Sequence, residues 1–170
     1  MKLTSLEAIM RALQEGGVRY LIAGGLAVNA HGYMRMTHDV DIVLALDSRN
    51  ITLAFDALAM IGYRPIVPIT AGQFADSLQR EAWIRDKGMV VLNFFSGSHK
   101  ETAIDVFVTE PFVFEAEYGR ALYGLLAPGL HVRFVSIPTL IEMKRVANRP
   151  RDRDDIEHLQ IIMDLEAKHE

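Results

Sequence analysis

The sequence predicts an α+β fold: a mixed sheet with helices packed on it, followed by a helical C-terminal segment. Three observations lead there. Apolar residues recur at helical spacing near the start, at Leu6, Ile9, Met10 and Leu13. Two β-rich runs, MVVLNFF (89–95) and TAIDVFV (102–108), are separated by a polar stretch around Ser96-Gly97-Ser98, as in a hairpin. The chain then ends in helix-type segments opened or broken by Pro138 and Pro150. This order, strand–helix–strand, then hairpin, then helices, does not suit a doubly wound parallel sheet.

Taken in order, Thr4 and Glu7 form a T-x-x-E capping-box pattern ahead of the first helix, which Gly16-Gly17 should stop. VRYLIA (18–23) reads as a short buried strand. Gly24-Gly25 follows as a tight turn, and LAVNAH (26–31) as a short helix ended by Gly32. DVDIVLAL (39–46) is a strand whose apolar run from Ile42 to Leu46 predicts burial on both faces. Asp47 or Ser48 can cap a helix running to about Gly62. Residues 63–72 read as a connection, and 73–87 are ambiguous. The hairpin comes next, then a helix over 112–126 and a strand at VRFVSI (132–137). Pro138 opens a helix to about Asn148, and a last helix covers about 151–168. The core is expected over 1–137. Residues 138–170 are expected as helices packed on it, in the same domain or as a small annex.

Half of the 170 residues are hydrophobic, ample for one packed core. No apolar run is long enough to span a membrane, and the start lacks the apolar stretch of a signal peptide. A cytoplasmic protein with no membrane partner is expected. With no cysteine, any metal must sit on oxygen or imidazole ligands. A net charge of −4 argues against a surface that coats nucleic acid, although a local basic patch is compatible with it.

Asp39-Val40-Asp41 opens a hydrophobic strand. Side chains alternate along a strand, so both carboxylates share one face. Close carboxylates repel, and a divalent cation resolves the repulsion. An exposed polar strand end is the competing account of this pair. Asp105, set among Ile104, Val106 and Phe107, is harder to explain without a partner. A strand placed about 4.8 Å from 39–46 would bring it to the same cation. Ion pairing to a buried Arg is the alternative for Asp105. Three carboxylates on adjacent strands suit the two-metal chemistry of phosphoryl transfer. Gly24-Gly25, between strand and helix, allows close backbone approach by a phosphate.

Together these residues carry a resemblance. The stretch IAGGLAVNAHGYMRMTHDVDIVLAL resembles the core of polymerase-β-type nucleotidyltransferases, more closely the AbiEii-like toxin branch and its small relatives. The pattern H-G-x-x-R-x-T-x-D-x-D falls on His31, Gly32, Arg35, Thr37, Asp39 and Asp41. The resemblance runs from about Tyr20 to Leu159. It implies a polymerase-β-type core and a nucleoside triphosphate substrate. Magnesium or manganese would be held on Asp39, Asp41 and Asp105. The phosphates would lie at Gly24 and Gly25, with Arg35 and Thr37 beside them. An acceptor hydroxyl would attack the α-phosphate, pyrophosphate would leave, and Asp105 could take the acceptor's proton. The commoner family turn has Ser as its second residue, and Gly25 lacks that hydroxyl.

Lys144 sits beside the apolar face of the helix that Pro138 opens, where a lysine either snorkels to solvent or points into a cleft. In similar proteins this helix supplies a lysine to the triphosphate, so Lys144 is assigned to nucleotide binding. Arg149, Arg151 and Arg153, around the break at Pro150, could add phosphate contacts, but most of them are expected to pair with Asp152, Asp154 and Asp155. The reading is thus a metal-dependent nucleotidyltransferase acting on a hydroxyl of RNA (tRNA included), protein or a small molecule, with an antitoxin partner in the toxin branch. A nucleotide- or partner-binding module without turnover is the alternative. An antibiotic-modifying transferase ranks lower, because such enzymes would need a further acceptor-binding domain and the segment after Ala127 is short.

Overall fold

The computed structural model describes residues 1–168. Its elements run α1 Leu3–Glu15, β1 Tyr20–Ile22, α2 Gly24–Ala30, β2 Asp39–Leu44, α3 Ser48–Met60, β3 Tyr63–Pro65, α4 Ala71–Ala75 and α5 Ser77–Lys87. They continue β4 Val91–Ser96, β5 Ala103–Phe107, α6 Phe114–Arg120, β6 Leu122–Ala127, β7 Leu130–Phe134, α7 Ile137–Ala147 and α8 Pro150–Glu166. The seven strands form one mixed sheet in the order β3-β4-β5-β2-β1-β7-β6. Strands β2 and β5 are parallel, as are β1 and β7, and the other neighbours are antiparallel.

Period-two alternation divides the apolar residues between two cores. One face of β1, β2, β4, β5 and β7 (Ile22, Ile42, Leu44, Phe94, Ile104, Val106 and Val132 among them) packs on α1 and α3. The other face buries Leu21, Ala23, Val43, Ala45 and Val135 against α2, α6, α7 and α8. Strand β2 is therefore buried on both faces beyond Asp41, as its apolar run predicts. The second core reaches only the middle and the β7 side of the sheet. On β4 the side chains of that face, Asn93 and Phe95, are exposed.

Several local expectations are corrected. The helix α1 starts with Lys2 as its N-cap and has no side-chain cap, so Thr4 lies within the first turn and the Thr4–Glu7 box does not form. Strand β3 emerges from the expected 63–72 connection at the sheet edge, where the lost N–H of Pro65 is tolerated. The ambiguous 73–87 stretch is two helices, each with its own cap, Thr70 and Asp76. The expected 112–126 helix ends at Arg120, and β6 pairs with β7 from Leu122 onward. The helix α2 begins at Gly24, so the glycine turn is its first turn rather than a loop before it. Asp47 does cap α3, accepting from the Asn50 N–H at 2.9 Å. No helix among the described residues is long and apolar enough to cross a membrane.

Candidate active site

The parallel pairing of β2 with β5 sets Asp39 opposite Ala103 and Asp41 opposite Asp105. Strand β4 extends the row, placing Asn93 opposite Asp105. Because register fixes the face, Asp41, Asp105 and Asn93 stand side by side across three strands, at the border where the helical cover ends. The Asn93 amide donates to Asp105 Oδ1 at 2.7 Å. Burial, then the charges of Asp105 and Asp39, push the Asp41 carboxyl up to about 6. Burial and the charge of Asp39 likewise raise Asp105, against the Asn93 hydrogen bond. The three acids thus share one electrostatic site in which an added cation is favoured. Among the described residues, no three carboxylate or imidazole side chains come together closely enough to hold a metal ion.

Gly24 and Gly25 are there for space as well as conformation. Gly24 has φ +57°, and a Cβ on it would lie 1.8 Å from Asp41 Oδ2. The backbone at the start of α2 is thereby pressed against the central carboxylate, and the Ala23 N–H donates to the Asp41 carbonyl at 2.9 Å. A Cβ on Gly25 would meet Thr37 Oγ1 at 2.6 Å and Arg35 Nη1 at 3.0 Å. The missing serine is explained by that contact: Thr37 and Arg35 occupy the volume it would need. His31 ends α2, and its Nε2–H is placed to donate to the Val135 carbonyl at 2.8 Å, fastening the helix to the sheet.

Arg35 does not stand free. Its Nε and Nη2 bond Asp155 of α8 at 2.6 and 2.8 Å in a two-pronged pair. Asp155 is fully buried, and its Oδ2 also receives Lys144 Nζ at 2.5 Å. Lys144 bonds Asp152 as well, at 3.1 Å, and is itself buried. Neither snorkelling nor an open cleft describes this lysine. It is the hub of an ion network joining α7, α8 and the loop before β2. Its charge still reaches Asp41, where it opposes the upward shift. The expected partners of Asp152 and Asp155 are corrected accordingly: none of Arg149, Arg151 and Arg153 forms an ion pair among the described residues. Lys144 and Arg35 take those acids because they approach from the buried side, whereas the three arginines are exposed at the start of α8. Arg149 is the informative one, since its charge lowers both Asp41 and Asp105.

Sequence reasoning missed Asn93, and it named Asp152 and Asp155 as ion-pair partners but not of Lys144 and Arg35. Asn93 carried a usable signal: a polar residue in VLNFF at the register position facing Asp105 across a hairpin.

A family model described as a nucleotidyltransferase of unknown function (DUF6036) matches residues 1–169. Among solved structures, the chain resembles the antibiotic-resistance factor ANT(2'')-Ia. Its crystal structure with adenylyl-2''-tobramycin superposes at a TM-score of 0.57 and 14% identity, over 99% of this chain and 98% of that one. Its solution structure superposes at 0.58 and 14% identity, over 98% of this chain and 91% of that one. The shared fold is the polymerase-β-like nucleotidyltransferase fold. The neighbour is thus matched along nearly its whole length, so the shortness of the segment after Ala127 does not set the two apart. No curated protein matches the chain.

Proposed function

The chain belongs to the DUF6036 family of nucleotidyltransferases, and on that premise we propose that it moves a nucleoside monophosphate from a triphosphate to a hydroxyl acceptor, using Asp39, Asp41 and Asp105. The observation that carries this is the β2–β5 register, which sets Asp41 against Asp105 with Gly24 packed on Asp41. In this reading the triphosphate lies along the start of α2, where the first N–H groups of a helix have no backbone partner. Arg149 supplies positive charge from the open side, and Thr37 offers the hydroxyl that Gly25 lacks. Lys144 and Arg35, locked on Asp155, hold the local field and the loop rather than gripping phosphate as free side chains.

The acceptor oxygen forms a bond to the α-phosphorus as the bond to the bridging oxygen breaks, and pyrophosphate departs. Asp105 takes the acceptor's proton. Its raised proton affinity suits that task, and Asn93 fixes its orientation. A divalent cation, magnesium or manganese, on Asp39, Asp41 and Asp105 would neutralise charge on the phosphates.

The test is transfer of labelled nucleotide, with each triphosphate in turn, to total RNA, to protein and to aminoglycosides, with pyrophosphate release read in parallel. Turnover lost when Asp39 and Asp41 are both changed to Asn supports the reading. Release that survives this double change refutes it, and no release with any pair leaves a nucleotide-binding module. The His31-to-Asp41 pattern supports the AbiEii-like branch, in which a toxin is held by an antitoxin partner. Growth arrest on expression, relieved by the same double change, is the measurement for that role.

A further inference from the structure

Strand β1 has two ends with different chemistry. Its C-terminal end leads into Gly24 and the carboxylates, whereas Tyr20 at its start pairs with Leu44, at the far end of β2. Beside that start lies a cavity of about 450 Å³, lined by Arg19, Tyr118, Tyr123, His131 and Arg133 among others. Those side chains form a stacked column. The Arg19 guanidinium lies 4.8 Å from the Tyr118 ring centre. Arg133 lies 4.6 Å from Tyr118 and 4.7 Å from Tyr123, between the two rings. His131 stacks on Tyr123 with ring centres 4.9 Å apart. The register makes the column, because Tyr123 of β6 is paired with Arg133 of β7.

The faces of these groups are taken up by one another, whereas the polar atoms of Arg133, Tyr123 and His131 are largely left over. Arg19 is neutralised by a two-pronged pair with Glu115. Arg133 has no carboxylate partner among the described residues, and its one hydrogen bond is a long one, 3.4 Å to the Tyr118 carbonyl. The Tyr118 hydroxyl faces the Arg19 guanidinium, whereas the hydroxyl of Tyr123 and the ring nitrogens of His131 have no protein partner among the described residues. No acidic side chain lines the cavity. A guanidinium, a phenol and an imidazole lining a space of this size form a donor set for an anion. In a molecule with a net charge of −4, Arg133 places one carboxylate-free guanidinium in this lining.

We propose that this cavity is a second binding site, separate from the carboxylate site, for a phosphate-bearing ligand of nucleotide size, gripped through Arg133 with Tyr123 and His131. The ligand chemistry is a phosphate on a nucleotide unit, whether free or at the end of a single-stranded RNA. The place of the site is independent of whether the carboxylates turn over substrate.

The experiment follows the His131 ring resonances by NMR in EDTA, which keeps divalent cations from the carboxylate site. The probes are pyrophosphate, adenosine monophosphate and a 5′-phosphorylated octanucleotide RNA. His131 should shift on titration with at least one of them. Arg133→Gln should weaken that binding by about tenfold or more, the loss expected for one charge-assisted contact. Arg133→Lys, which keeps the charge without the planar fork, should fall between, and it serves in place of Arg133→Gln if that variant does not fold. Asp39→Asn/Asp41→Asn should leave the titration unchanged. Equal affinity for the mononucleotide and the octanucleotide identifies a free nucleotide as the source, and tighter binding of the octanucleotide alone identifies RNA. No shift of His131 with any probe, or equal affinity in wild type and the Arg133 variants, overturns the proposal.

Discussion

Changing Asp41 to Asn should stabilise the metal-free protein at neutral pH while removing its activity. Burial and two neighbouring carboxylates raise the Asp41 carboxyl from 3.8 to about 6. A rise of roughly two units corresponds to about 3 kcal/mol, at about 1.4 kcal/mol per unit. Asp41 keeps some contact with solvent, which reduces the expected effect to about 1–2 kcal/mol. Since the folded state binds this proton more tightly than the unfolded chain, the contribution is fully present below the unfolded value of 3.8. It is lost as pH rises through about 6. Asn cannot ionise and escapes that loss. For a chain of this size the melting temperature of Asp41→Asn should exceed that of wild type by roughly 2–8 °C at pH 7.5. The gap should close towards pH 4. Calorimetric melts of both proteins in EDTA across this range measure it. Magnesium with a triphosphate should then reverse the order by raising only the wild type. A variant that melts at or below wild type at pH 7.5, or a gap that does not vary with pH, would refute the account of three mutually repelling acids.

Three other changes probe the surroundings. Gly24→Ala must accept a left-handed backbone costing about 1–2 kcal/mol and a Cβ placed on Asp41 Oδ2. Turnover should fall much further than the melting temperature suggests, and near-normal kcat would remove Gly24 from the site. Lys144→Ala leaves Asp152 and Asp155 buried together and should cost about 3–5 kcal/mol by denaturant unfolding. An unchanged midpoint would show that the ion network does not hold α7 and α8. Arg149→Ala should leave the unfolding midpoint alone and weaken triphosphate binding by about 1.5–3 kcal/mol, with a smaller effect on monophosphate. Equal triphosphate affinity by calorimetry would exclude a phosphate contact.

The parts of the site that follow from alternation along strands were legible in the sequence. Asp39 and Asp41 had to share a face, and the hairpin carrying Asp105 had only to lie beside β2 for the row to form. Asp47 was legible as a cap because that contact spans only three residues. Long-range choices were not. Lys144 and Arg35 each had several acids to choose from, and the choice of Asp155 depends on how α8 docks on the sheet. Strand β6 was hidden because Gly119 and Gly124 lie inside α6 and β6 rather than at their junction at Ala121, and only pairing with β7 separates the two. The Thr4–Glu7 pattern shows the converse, a good local motif overridden where the chain entered the helix earlier.

The uncovered half of the sheet bears on evolution. Asn93 and Phe95 face solvent on strands that no helix shelters, one step from Asp105. Residues there contribute little to the second core, so substitutions at Phe95 or in its neighbours are nearly free of folding cost. The side proposed for the nucleotide is the opposite, since Gly24, Gly25, Arg35 and Asp155 are interlocked. A lineage built this way can change what it modifies far more easily than what it modifies it with. On the proposed reading, its members should differ first at Phe95 and the exposed positions around it, while Asn93, which holds Asp105, and the acids themselves stay the same.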